Sequence, residues 1–66
     1  MKTKEKLERA GWIFKRKFEY YEVYGRGILR IIYDTRTDTA VAIFNIFKSD
    51  FRLIDDTLFE FLIEKE

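Results

Sequence analysis

The chain has no cysteine and no histidine, and these absences exclude much of the chemistry a small protein can use. Without thiols there are no disulfides and no thiolate zinc site; without imidazole the commonest general base is gone. The strongest common nucleophile is missing as well. A non-enzymatic protein with no metal, no cofactor and no small-molecule substrate is therefore expected. No apolar run approaches the roughly 20 residues needed to cross a bilayer, and no signal-peptide pattern opens the chain. The expectation is a cytoplasmic protein without membrane partners. Glycine is scarce, at three residues, and Gly25-Arg26-Gly27 holds two of them. That stretch is too short for a phosphate loop and reads as a turn.

What is present is apolar and aromatic. Sixty-six residues with 47% hydrophobic and 18% aromatic content make one domain, residues 1–66, near the lower size limit for folding without staples. A chain of this length buries only about 60% of its unfolded surface. Net charge is +1 but uneven: residues 1–33 carry nine Lys/Arg against four Glu, and residues 34–66 carry four Lys/Arg against eight Asp/Glu. The halves therefore differ in sign, +5 against −4. Such asymmetry suits a basic binding face or head-to-tail association, provided the fold keeps the halves apart.

The elements follow from periodicity. Residues 2–10 read as a short helix with Thr3 as N-cap; Gly11 stands where a C′ glycine takes positive φ, and Trp12 at C″ folds back on Leu7. Ile13 to Tyr24 holds no Gly, Pro, Asn or Asp and is rich in aromatic and β-branched residues, which predicts one long strand with a bulge or strong twist near residues 19–21; two short strands or a helical continuation of the first segment are the second choice. Ile28 to Asp34 and Thr39 to Phe47 predict a hairpin around the loop Thr35-Arg36-Thr37-Asp38. Phe51, Ile54, Leu58, Phe61 and Leu62 recur at helical spacing. That helix begins at Phe51 behind Asp50, or at Asp55 or Asp56 after a short extra strand over residues 51–54; Thr57-Leu58-Phe59-Glu60 matches a capping box. The expected fold class is α+β, a small αβββα domain with a three-stranded antiparallel sheet between a short N-terminal helix and a C-terminal amphipathic helix.

In the hairpin, an unbroken register opposes Ile32 to Val41 and Arg30 to Ile43. Alternation then gives one wholly apolar face, with Leu29, Ile31, Tyr33, Ala40, Ala42, Phe44 and Ile46, where a helix can approach closely over the alanines. The opposite face carries Ile28, Ile32, Val41, Ile43 and Phe47 around Arg30 and Asn45, more apolar surface than a solvated face needs. These five residues form the expected interaction surface, for a second copy of the chain as a homodimer or for another protein. A second constellation combines Lys15, Arg16, Lys17, Arg26 and Arg30 with Tyr20 and Tyr21. Cations neutralise phosphates and aromatic rings stack on unpaired bases, so these seven are the expected contacts if the partner is nucleic acid. Asp34, Asp38, Asp50, Asp55 and Asp56 stand at no recognised ligand spacing and read as turn formers and helix starts, not magnesium ligands.

Leu7-Glu8-Arg9-Ala10-Gly11-Trp12 leading into the first strand, with the order helix, three strands, helix, resembles the start of HicA-type toxins, small RNA-cleaving proteins with a double-stranded-RNA-binding-like fold. The resemblance covers about ten residues and the topology. Those toxins rely on a histidine just after the first strand, where this chain has Tyr20 and Tyr21. The resemblance therefore implies topology without the cleaving activity.

Overall fold

The computed structural model describes residues 2–48 and 50–64. Its elements are α1 (Thr3–Arg9), β1 (Ile13–Phe18), β2 (Tyr21–Arg26), β3 (Leu29–Asp34), β4 (Thr39–Asn45), β5 (Phe51–Leu53) and α2 (Asp56–Leu62). The strands form one antiparallel meander in the order β1-β2-β3-β4-β5, with both helices on the same face. The α+β class holds, but the sheet has five strands where three were expected.

The first additional strand arises because residues 13–24 split into β1 and β2 at Glu19-Tyr20. Glu19 occupies the left-handed region at φ 54°, which composition does not announce, since such turns favour Gly, Asn or Asp. Tertiary contacts hold this turn. The Thr35 N–H and hydroxyl both donate to the Tyr20 carbonyl, at 3.1 and 2.6 Å, and the Arg36 guanidinium lies 3.5 Å from the Tyr20 ring centre. Gly25 and Arg26 belong to β2, so the β2–β3 turn is Gly27-Ile28, with Gly27 at φ 64°. The second additional strand is β5, where Phe51, Arg52 and Leu53 pair with Phe44, Ile43 and Ala42. Helix α2 starts after it: Asp55, and not Thr57, is the N-cap, its carboxylate accepting the Leu58 N–H at 2.7 Å.

The hairpin register also departs from expectation. Asp34 faces Thr39 and Tyr33 faces Ala40, but Val41 is an extra residue, so Ile32 faces Ala42, Ile31 faces Ile43 and Arg30 faces Phe44. One extra residue exchanges the faces of everything beyond it. Ile43 moves beneath the helices and packs on the core, whereas Ala42 and Phe44 turn to the opposite side.

The core lies between sheet and helices, built from Leu7, Ala10, Trp12, Tyr24, Ile31, Tyr33 and Leu62. Helix α1 ends as its glycine predicts: Gly11 takes φ 92°, its N–H donates to the Glu8 carbonyl at 3.1 Å, and the Trp12 N–H donates to the Leu7 carbonyl at 3.0 Å. That reversal buries the indole, whose Nε1–H donates to the Leu62 carbonyl at 3.0 Å and ties the two ends of the chain together. At the other end of α1, Thr3 does not cap its own helix. Its N–H and hydroxyl donate to the Asp38 carboxylate and carbonyl, docking the helix on the β3–β4 turn.

A candidate interaction face on the sheet

The face opposite the helices is bare and apolar. Cross-strand pairing puts Phe18 beside Tyr21, Val23 beside Ile32, Ile32 beside Ala42, and Ala42 beside Leu53, with Phe44 beside Phe51. At its centre, Val23, Ile32, Val41 and Ala42 floor a depression of about 250 Å³ walled by Phe18 and Tyr21 on one side and by Phe51 and Leu53 on the other. Phe18, Phe51 and Leu53 are 64%, 66% and 72% exposed. Small residues in the middle and large ones at the margins make the face concave.

Of the five residues expected to form an interaction surface, Ile32 and Val41 lie here. Ile28 and Phe47 are exposed beyond it, next to the β2–β3 and β4–β5 turns, and Ile43 belongs to the covered face. Sequence reasoning missed Phe18, Val23, Ala42, Phe44, Phe51 and Leu53. The first two were hidden by reading β1 and β2 as one strand, and the rest by the Val41 bulge and by residues 51–54 standing open between the start of the helix and a short extra strand.

The seven residues of the cation and tyrosine constellation are also divided. Lys15, Arg16, Lys17 and Arg30 gather at one end of the bare face, around a depression of about 580 Å³ that includes Phe18, Val23, Ile32, Phe44 and Ile46 and, among the described residues, no carboxylate. A second bulge explains part of this: Phe14 pairs with Tyr24 and Arg16 with Val23, leaving Lys15 as the extra residue on the edge strand. Arg26 is not with them. Its guanidinium lies 4.8 Å from the Trp12 ring centre and donates to the Ala10 carbonyl at 2.9 Å, a structural role on the covered face. Tyr20 is engaged by Arg36, while Tyr21 lies on the bare face.

Shifted ionisable groups are concentrated on the covered side. Burial, together with a hydrogen bond to Glu22, raises the Tyr24 hydroxyl well above its usual range. Burial and donation to Asp38 push Tyr33 up to about 12. The Tyr33 hydroxyl and the Thr3 backbone together hold the Asp38 carboxyl below its ordinary value. On the bare face Tyr21 is shifted upward, chiefly by the neighbouring Tyr20 phenol, which leaves it protonated and unsuited to proton abstraction at neutral pH. No helix among the described residues is long and apolar enough to cross a membrane. Comparisons with protein-family models, curated proteins and solved structures return no match.

Proposed function

We propose that the protein is a non-enzymatic interaction module that self-associates through the bare face of its sheet. The observation that carries this reading is the exposure of Phe18, Phe51 and Leu53 around the floor of Val23, Ile32 and Ala42. Apolar surface of that extent marks an interaction site on a soluble chain. Its size fits a second copy. The fold measures 31 × 30 × 20 Å, and a disc with the two longer dimensions projects on the order of 700 Å², close to the roughly 800 Å² per partner of a standard interface.

Charge selects an orientation. Lys15, Arg16 and Lys17 occupy the β1 edge, while Asp50, Asp55 and Asp56 flank β5. A two-fold axis running along the strands stands each β1 over the partner's β5 and keeps the cationic edges apart; an axis across the strands superposes them. Both arrangements are aligned sheet packings, so electrostatics separates them.

Sedimentation tests this reading. The parent chain is expected as a dimer and Ile32→Lys as a folded monomer, because Ile32 points away from the helices and its replacement leaves the core intact. A parent chain that stays monomeric across the concentration range overturns the proposal, as does an Ile32→Lys variant that dimerises like the parent. Ile43→Lys is not the informative substitution, since Ile43 packs on the core and its loss breaks the fold.

A further inference from the structure

The cations at the β1 end of the bare face converge in a way that self-association does not require. Gly25 sits inside β2, buried, and its φ does not require glycine. Glycine inside a strand weakens it and often marks close approach by another group. Here that group is a pair of cations. A Cβ on Gly25 would stand 2.6 Å from the Arg30 Nη1 and 2.9 Å from the Lys15 Cε, so any other residue would push these two side chains off the spot they share. The Arg30 guanidinium is fixed there, its Nη1 donating to the Gly27 and Leu29 carbonyls at 2.9 and 2.8 Å. The Lys15 bulge brings the second charge to the same place, with Arg16 next to it along the edge; Lys17, which stands opposite Glu22, reaches the depression from the other side of the edge strand. The ion pair among the described residues, Arg36 with Asp34, lies at the opposite end of β3, and no carboxylate lines the depression. Like charges held together over a notch, without a neutralising partner, form a site for an anion.

We propose that Lys15, Arg16, Lys17 and Arg30 bind the phosphate backbone of a single-stranded nucleic acid along the β1 edge, with Phe18 as a stacking surface for a base. A row of cations along an edge matches a linear polyanion, and the exposed Phe18 ring lines the same depression. Lys15 and Arg30 share one phosphate over Gly25, and Arg16 and Lys17 reach its neighbours. Phe18, Val23 and Ile32 line both this site and the central depression, so the nucleic acid and a second copy compete for the β1 end of the face.

Fluorescence anisotropy with a labelled single-stranded oligonucleotide tests the proposal. With about three phosphates engaged, affinity is expected to fall about 20-fold between about 50 and 200 mM salt. Lys15→Gln and Lys17→Gln, both at exposed positions, should each weaken binding while Lys4→Gln on α1 does not. Gly25→Ala should weaken it by displacing Arg30 and Lys15, read alongside circular dichroism to confirm folding. Phe18→Leu keeps apolar bulk for self-association but removes the ring, and is expected to cost about fivefold or more in affinity. Absence of binding at low salt overturns the proposal. So does equal weakening by Lys4→Gln and Lys15→Gln, or binding to phosphatidylserine vesicles without binding to the oligonucleotide.

Discussion

Beneath the helices Tyr24 and Ile31 are fully buried, whereas their chain neighbours Val23 and Ile32 are half-buried on the bare side, and Phe18 and Leu53 further out are mostly exposed. The two faces use the same kinds of residue in the same strands. What differs is closure. The covered face has the indole of Trp12 hydrogen bonded to Leu62, Arg26 stacked on that indole, and Asp38 receiving donors from Thr3 and Tyr33. Apart from the Tyr33 bond, which lies within the β3–β4 hairpin, each contact joins a helix or helix end to the sheet or to the other helix. The bare face has side chains on a floor and, among the described residues, nothing above them. Apolar alternation alone therefore does not distinguish a covered face from a bare one; the polar contacts that tie down whatever covers a face do.

The largest expected contrast comes from Ile31→Ala and Ile32→Ala, which remove the same atoms from adjacent residues on opposite faces. At Ile31 the expected loss is about 2–5 kcal/mol, enough to leave a domain this small largely unfolded. At Ile32, in the dissociated chain, it is under about 1 kcal/mol, because no packed cavity forms. Urea unfolding at low protein concentration reads both, and equal losses would erase the distinction between the faces.

Asp38→Ala tests the closure itself. It deprives the Thr3 N–H and the Tyr33 hydroxyl of their acceptor and is expected to cost about 1–2 kcal/mol, with α1 loosened before the sheet in hydrogen exchange. The same group gives an acid dependence. Its folded pKa lies below the ordinary 3.8, so its stabilisation is present above pH 3.8 and disappears as pH falls through the lower folded value. Acid titration of the Asp38→Ala variant should lack that component.

Tyr33 provides the alkaline counterpart. Its hydroxyl titrates at 10.0 when unperturbed and at about 12 in the fold, so its contribution is intact below pH 10 and is lost as pH rises toward 12. Absorbance at alkaline pH should show phenolate appearing together with unfolding, and Tyr33→Phe should remove this component for a loss of about 1 kcal/mol.

The smallest effect is expected at Glu19, outside both faces. Relief of its left-handed backbone in Glu19→Gly outweighs the added freedom of the unfolded chain by about 0.5 kcal/mol. A small rise in melting temperature with an unchanged oligomeric state would place this turn apart from both faces.

Much of this architecture is written locally. The spacing of Leu58, Phe61 and Leu62 and the pair Gly11-Trp12 are enough to identify the C-terminal helix and the reversal that ends α1, because capping and periodicity act within a few residues, although Phe51 of the same periodicity belongs to β5. The four-residue loop at 35–38 and the first two pairs of the hairpin are local in the same sense. The strand count, by contrast, depends on Glu19-Tyr20, whose turn is held by Thr35 and Arg36 from a different hairpin. The choice of faces depends on Val41, an extra residue whose bulge carries no glycine and whose carbonyl accepts the Ile54 N–H just after β5. A one-residue shift changes no composition and no propensity, yet it sends Ile43 under the helices and Phe44 out beside Arg30. By itself the sequence determines that this is a small apolar α+β domain with a cationic first half and no thiol or imidazole chemistry. Which apolar residues are core, which are left uncovered, and which cations stand together over Gly25 are decided only when distant strands come into register.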